Sequence, residues 1–254
     1  IRNPNTQLVV AVDEDDRVTL DAFASRPWPE CVVLSRRERE DSLGEKYNNR
    51  LTIAPADVYL AMCDYGPHVT PGFDNLILEA ASIFPDKIGV IYNHMANMSF
   101  PQINAVTHRL VELMGGIYPG YFPFWFVDHW LDDIAKMIDR IACADVWIDT
   151  SMRANTMDDR VDFREPGWGS SFFDALAPAR REIASRILEA PDFQMPEWHK
   201  QMLRSRWHLT EETSKVINRR MRAEPWAKGK GVPDERYMRI KLKAMQAVRP
   251  YVQE

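Results

Sequence analysis

The fold is indicated first by LVVAVDEDD at residues 8–16, in which five apolar residues are followed directly by four acids. A continuous apolar run of this length is typical of a strand that is buried on both faces of a sheet. Further strands are predicted from similar runs at 31–34, 58–63, 88–92 and 145–148. Between them, helical spacing of apolar residues occurs at 73–81, 106–114 and 130–141. The alternation predicts an α/β fold, with a largely parallel sheet and helices on both faces.

The pattern changes at about Pro166, after which no strand is predicted. Helical spacing occurs at 172–188, 198–207 and 237–248, and a separate helix start is predicted at Thr210. We therefore expect a sheet domain at 1–165 and a helical C-terminal extension at 166–254.

The composition is that of a globular protein, with 45% apolar and 27% charged residues, and it excludes disordered and collagen-like chains. The longest uncharged stretch, 113–127, is interrupted by two prolines, so no transmembrane segment is expected. The three cysteines (Cys31, Cys63 and Cys143) form no CxxC pair. A reduced, cytoplasmic location is the expectation.

The charges are unevenly distributed along the chain. Residues 1–164 hold 15 Lys/Arg against 25 Asp/Glu, whereas residues 165–254 hold 17 against 12. The acidic part could hold a metal and the basic part could dock on phosphates, although the two parts could equally neutralise each other. A nucleic-acid acceptor is not favoured, because the acidic part opposes tight non-specific binding.

Acids follow the predicted strands at three places. These are the run Asp13 to Asp16, Asp64 after the strand at 58–63, and Asp128, which precedes a helix. Ligands of open α/β sheets bind at the carboxyl ends of the strands, so these acids are candidate site residues. Taken singly, each could instead be a solvated turn or a helix cap.

The order of these pieces resembles a known family. The relevant stretches are VVAVDEDD (9–16), YNNRL (47–51), ADVYLAMCDYGPHVTPGFD (56–74), FPDKIGVIY (84–92) and FVDHWLDDIA (126–135). Together they look like nucleotide-sugar glycosyltransferases of the GT-A type, near the family 2-like enzymes, over residues 8 to 150. The most specific piece is Thr70-Pro71-Gly72-Phe73-Asp74 after an acid-containing strand end, where the family usually has T-P-G-W-D.

The resemblance implies transfer of a sugar from a nucleotide-diphosphate donor to a hydroxyl acceptor, assisted by Mn²⁺ or Mg²⁺. A divalent cation held by carboxylates offsets the charge that develops on the diphosphate leaving group. In such a site Asp64 would contact the metal and the donor. The general base that deprotonates the acceptor would be Asp128, with Asp132 or Asp133 as substitutes.

The remaining donor contacts implied by the resemblance lie near the start of the chain. Asp13, Asp15 and Asp16 would lie around the nucleoside, and the Asn49-Arg50 step would reach the diphosphate. Arginine suits that place because its planar guanidinium is always charged.

The sequence departs from the family pattern in three ways. Tyr65 stands where a second acid is usual, and Asp149-Thr150 stands where a histidine often completes the metal site. Either Asp149 is the substitute ligand, or metal binding is weak, or catalysis has been lost. The seven residues before Leu8 are also too few for the strand and helix with which a GT-A domain normally opens, so we expect either a missing N-terminus or a trimmed fold.

Two rival functions follow from these departures. One is a catalytically silent GT-A-like module for binding or assembly; the other is a nucleotidyltransferase on a related fold, although no early Gly-rich basic loop is seen. The amphipathic C-terminal helix could make a homodimer contact. The aromatic cluster at 118–126 could line a sugar pocket or pack in the core.

Overall fold

The computed structural model describes residues 1–62, 68–95, 103–122, 126–149, 166–223 and 235–252, and the structural statements below refer to these residues. In chain order the elements are β1 (Leu8–Asp13), α1 (Arg17–Ala24), β2 (Val32–Arg37), α2 (Leu43–Asn48), β3 (Val58–Leu60), α3 (Phe73–Ala81), β4 (Val90–Met95), β5 (Asn104–Thr107), α4 (His108–Met114), α5 (Val127–Ile138), β6 (Ile141–Ile148), α6 (Pro166–Ala175), α7 (Ala177–Leu188), α8 (Glu197–Ala223) and α9 (Glu235–Val252). None of the helices in these ranges is both long and apolar enough to cross a membrane.

The strands form two sheets rather than one. Strands β1 and β2 pair in parallel, and the second sheet has the order β3-β5-β4-β6. Strand β5 is antiparallel to both of its neighbours, whereas β4 and β6 are parallel. The expected α/β class is confirmed. The four-stranded sheet is not largely parallel, because β5, which was not predicted, runs antiparallel to both of its neighbours. Strands β3, β4 and β6 nevertheless run in one direction, so their carboxyl ends share one edge.

The run at residues 8–12 was expected to be buried on both faces, and this is wrong. Only Val12 of β1 is buried, and the other residues of the strand are partly exposed. The reason is that β1 pairs with β2 alone, while helix α1 beside it buries none of its own residues.

The main core lies on the two faces of the four-stranded sheet. On one face, residues such as Ile91, Ala105 and Val146 pack against α3. On the other face, Val90 and Val106 share a cluster with α4, α5, α7 and parts of α6, α8 and α9. The C-terminal helices and the sheet therefore have a common core.

Helix boundaries in the C-terminal part differ from expectation. The predicted helix at 172–188 is two helices, α6 and α7, which meet at Leu176. The helix start predicted at Thr210 is wrong, because α8 runs without interruption from Glu197 to Ala223. Thr213 Oγ1 donates a hydrogen bond to the carbonyl of Leu209, at 2.8 Å, so the polar residues there are accommodated inside a helix.

The motif at residues 70–74 anchors the beginning of the chain. Gly72 has a left-handed backbone, with φ of 76°, and starts helix α3. The Asp74 carboxylate accepts hydrogen bonds from the backbone N–H groups of Arg2 and Asn3 at 2.9 and 2.7 Å and from Thr6 Oγ1 at 3.2 Å. Burial raises the pKa of Asp74, but these hydrogen bonds together outweigh burial and lower it.

Candidate functional site

The acid at the end of β1 is held by two cations. The Asp13 carboxylate lies 2.6 Å from Lys46 Nζ and 3.3 Å from Arg39 Nε, and its side chain is 18% exposed. Lys46 belongs to α2, so this contact joins the end of β1 to that helix. Asp13 is thus a neutralised carboxylate that fixes the positions of two positive groups.

The rest of the acidic run divides between two roles. Asp15 Oδ1 accepts from Arg39 Nη2 at 3.1 Å and remains largely exposed. Asp16 caps helix α1, because its carboxylate accepts from the backbone N–H and the hydroxyl of Thr19 at 3.1 and 2.7 Å. Asp15 therefore keeps oxygens open to a ligand, whereas Asp16 is engaged in starting a helix.

The Asn49-Arg50 step lies at the end of α2 and turns toward Glu40. Arg50 is 8% exposed, forms an ion pair with Glu40, and donates from Nη1 to the carbonyl of Lys46 at 3.1 Å. Asn49 Nδ2 lies 3.4 Å from the same Glu40 carboxylate. Two further nitrogens of Arg50, Nε and Nη2, are buried and make no hydrogen bond to the described residues.

Arg37, which the sequence analysis did not select, lies beside this group. It is the last residue of β2 and pairs in register with Asp13. Burial lowers the pKa of Arg50, the positive charge of Arg37 lowers it further, and Asp13 opposes the change. The charges of Arg37 and Asp13 therefore both act on the Arg50 guanidinium. The sequence could have identified Arg37 as a candidate. Arg36 and Arg37 come shortly after the predicted strand at 31–34, just as the selected acids come after other predicted strands.

A polar cavity of about 610 Å³ lies at the carboxyl ends of β1 and β2, and Asp13, Asp15 and Arg50 are beside it without lining it. Its lining is made almost entirely of charged side chains: Glu14, Arg36, Arg37, Glu38, Arg39, Glu40, Asp41, Glu45, Asn49 and Arg239. Arg36 and Arg37 take part in no ion pair within the described ranges, so two cations of this cavity are open to an anion. We call it the arginine cavity.

Helix α9 forms one side of the arginine cavity. Arg239 Nη2 lies 2.8 Å from Asp41, and Lys243 Nζ lies 2.6 Å from Glu45. The hydrogen bond from Arg239 is the largest influence that lowers the pKa of Asp41. The basic C-terminal part of the chain thus contacts acids of the N-terminal part. This agrees with the interpretation that the two parts neutralise each other.

The second group of predicted residues lies at the carboxyl edge of the four-stranded sheet. Asp64 and Tyr65 fall outside the described residues. Asp149 directly follows β6 and is partly buried. His68 forms an isolated antiparallel bridge with Ile148, and Tyr47 of α2 donates to the carbonyl of Met62 at 2.5 Å. The latter contact ties α2 to the end of β3.

A complete metal site is not found in this part of the structure. Of the two predicted metal ligands only Asp149 is described, and no group of three or more His, Cys, Asp or Glu side chains among the described residues is arranged to hold an ion. Asp149 supplies a single carboxylate, and among the described residues it does not by itself fit a divalent metal.

The candidate base Asp128 lies in the first turn of α5, with its side chain 19% exposed. Its carboxylate accepts from the backbone N–H of His129 at 3.0 Å and lies 3.4 Å from the Nδ1 atom of that residue. It does not line the arginine cavity, and neither does Asp149. The structure thus gathers Asp13, Asp15, Asn49 and Arg50 together and leaves Asp128 and Asp149 on elements of the other sheet.

The two substitute bases have structural contacts. Asp132 accepts a hydrogen bond from the Tyr92 hydroxyl and forms an ion pair with Lys136 at 2.5 Å. Burial is the main cause that raises the pKa of Tyr92, followed by the charge of Asp132. Asp133 is fully buried and pairs with Arg180. Neither carboxylate is open to an acceptor hydroxyl.

The aromatic cluster at 118–126 is core packing where the structure describes it. Tyr118, Phe122 and Phe126 are each no more than 4% exposed. Phe122 and Phe126 lie against Phe173 of α6, with ring centroids 6.3 and 5.6 Å apart. Phe124 and Trp125 lie outside the described residues.

Comparison with known proteins does not assign the chain to a family. No family model matches it, and no curated protein is significantly similar to it in sequence.

Proposed function

We propose that this protein is a glycosyltransferase that moves a sugar from a nucleotide-diphosphate donor to a hydroxyl acceptor. The observation that carries the proposal is the pair Arg36 and Arg37, which line a polar cavity at the carboxyl ends of two parallel strands and have no ion-pair partner among the described residues. Two adjacent cations repel each other, and an anionic ligand between them offsets that repulsion. A diphosphate, with its several charged oxygens, is a ligand that matches paired arginines.

The residues in and beside the arginine cavity have distinct parts in this proposal. Arg37 binds the diphosphate directly, because it is exposed and unpaired within the described residues. Arg50 forms an ion pair with Glu40, and so holds that residue of the cavity wall in place. Asp15 keeps oxygens available for a nucleoside hydroxyl, while Asp13 holds Lys46 and Arg39 in place. Asn49 remains a donor-binding candidate at the wall of the cavity.

The acceptor side of the proposal rests on Asp128. A carboxylate that removes the proton from an attacking hydroxyl contributes on the order of 10²–10⁴ in rate. Asp128 is partly exposed and sits at the start of a helix, whereas Asp132 and Asp133 are occupied by other residues. It is therefore the best candidate base among the three.

In this proposal Asp64 and Asp149 would hold a divalent cation, and the described residues alone do not complete such a site. When bound, Mn²⁺ or Mg²⁺ would offset negative charge on the diphosphate. Within the described residues, Arg36 and Arg37 are two unpaired positive charges in a lining of four arginines and five acids, and they would contact the donor beside the cation.

Ligand binding tests the proposal most directly. Thermal unfolding and calorimetry with UDP-, GDP-, CDP- and dTDP-sugars, each with Mn²⁺ and with a chelator, should find one nucleotide that stabilises the fold. Release of the nucleoside diphosphate is then followed with time. Binding of none of the four nucleotides contradicts the proposal, and binding without release or transfer identifies the silent module instead. If a nucleoside triphosphate and a sugar phosphate yield pyrophosphate, the protein is a nucleotidyltransferase.

A further inference from the structure

Strand β6 carries an exposed tryptophan at its carboxyl end. The strand alternates, so that Ala144, Val146 and Ile148 are buried while Asp145 and Trp147 face outward. Trp147 is 52% exposed, which leaves a large part of its indole in contact with solvent. The ring contributes little to the core, and its exposed part is available to contact a ligand.

Two polar residues accompany the indole. The imidazole of His94, on the neighbouring strand β4, stacks on Trp147 with ring centroids 5.1 Å apart and an interplanar angle of 26°. His94 Nε2 lies 3.8 Å from Asp145 Oδ1. We call Trp147, His94 and Asp145 the tryptophan platform.

The backbone under the tryptophan platform is fixed on its far side. The N–H of Trp147 donates to Thr70 Oγ1 at 2.8 Å, and its carbonyl accepts from the N–H of Val69 at 3.0 Å. Together with its pairing to β4, these bonds hold the residue from both sides. The backbone that carries the ring is thus held, so it loses little further freedom when a ligand packs on the indole.

We infer that the tryptophan platform binds a pyranose ring, so that the acceptor of the proposed transfer is a saccharide. One face of a pyranose presents C–H groups that pack on an indole, while its hydroxyl groups lie at the ring edge. Asp145 accepts hydrogen bonds from such hydroxyls, and His94 offers a ring nitrogen. The platform lies at the edge of the sheet that holds Asp149. The role of this saccharide as acceptor rests on the proposed function. The binding of a saccharide to the platform is independent of it.

The chain offers a matched control for this site. Trp198 stacks on His199 with ring centroids 5.2 Å apart, and His199 Nε2 lies 3.2 Å from Asp139 Oδ2. The residue types are the same, but Asp139 precedes β6, so this second stack lies at the opposite end of the strand. Comparison of variants at Trp147 and Trp198 therefore shows whether saccharide binding depends on the location of the stack or only on an exposed indole.

Saturation-transfer NMR on the full chain tests the inference. The probes are methyl β-D-glucopyranoside, methyl β-D-galactopyranoside, methyl α-D-mannopyranoside and methyl N-acetyl-β-D-glucosaminide. At least one should receive saturation from the protein. Trp147→Ala should weaken its affinity about tenfold or more, and Trp147→Phe should retain part of it. Trp198→Ala should bind like the parent, and thermal unfolding should show each variant folded.

Three results would overturn the inference: no transfer to any of the four probes, an unchanged signal in Trp147→Ala, or an equal loss in Trp198→Ala. Calorimetry with nucleoside diphosphates keeps this outcome separate from that of the proposed function. Saccharide contact without nucleotide binding supports the platform and contradicts the transferase. Nucleotide binding without saccharide contact supports the transferase and contradicts the platform.

Discussion

Asp133 and Arg180 form an ion pair in which both side chains are only 1% exposed, with 3.0 Å between Oδ2 and Nε. Burial raises the pKa of Asp133 and lowers that of Arg180, and each charge opposes the change in the other. Ser214 donates to the other carboxylate oxygen at 2.5 Å, and Arg180 Nη1 donates to the carbonyl of Phe173 at 2.7 Å. One pair thus connects α5, α6, α7 and α8.

Removal of one member of this pair should destabilise the fold strongly. Asp133→Asn leaves the Arg180 charge buried without its partner, and a loss of about 3–5 kcal/mol in the free energy of unfolding is expected. Urea unfolding at pH 7 measures it. Lys215→Gln is the control, because Lys215 pairs with Glu212 where both side chains are exposed, at 39% and 58%, and it should lose no more than about 1 kcal/mol. Equal losses in the two variants would contradict the assignment.

Arg37 should determine affinity for the nucleoside diphosphate. Hydrogen bonds to charged groups are worth about 1.5–3 kcal/mol, so Arg37→Gln should weaken binding about 10- to 100-fold. Calorimetry with the nucleotide that stabilises the parent measures the change. Arg206→Gln, at an exposed arginine on α8, should leave the affinity unaltered. A parental affinity in Arg37→Gln would remove the arginine cavity as the donor site.

Asp128 should affect transfer and not donor binding. Asp128→Asn keeps the shape of the side chain but removes its basicity, so the transfer rate should fall by a factor on the order of 10²–10⁴ while the nucleotide affinity stays the same. Single-turnover transfer and calorimetry report the two quantities separately. Asp57→Asn, at an exposed acid before β3, serves as the control. Transfer at the parental rate would show that Asp128 is not the base.

The apolar runs predicted most of the strands because burial requires apolar residues. Strand β5 escaped prediction, since its four residues, Asn104 to Thr107, overlap a longer helical pattern that begins at Val106. Helices α1 and α2 were also missed. They are short, and α1 buries no residue, so neither shows the apolar spacing on which such a prediction depends.

The candidate site was predictable in its location but not in its contacts. The rule that ligands gather at the carboxyl ends of strands selected Asp13, and it applies equally to Arg37, which lies beside it. Spacing along the chain gave no sign that Arg50 would be buried against Glu40, or that Lys46 would neutralise Asp13. Those contacts depend on how α2 packs against β1, which is a tertiary property.

His68 should make the stability of the fold sensitive to acid. Its imidazole lies against Phe73, with ring centroids 4.5 Å apart, and neither ring nitrogen has a hydrogen-bond partner among the described residues. Burial lowers the pKa of His68 to about 4. An unfolded histidine takes up a proton near pH 6.5, so the free energy of unfolding should fall as the pH drops from about 6.5 to about 4.

Replacement of the imidazole by an apolar ring tests this sign. His68→Phe keeps the contact with Phe73 and cannot titrate, so its free energy of unfolding should fall less than that of the parent over the same pH interval. Urea unfolding at pH 7, 6, 5 and 4.5 measures both curves. His208→Gln, at an exposed position on α8, should follow the parental curve. An equally steep loss of stability in His68→Phe would contradict this prediction. The acid sensitivity would then arise from other groups, and His68 in the folded parent would take up a proton as readily as it does in the unfolded chain.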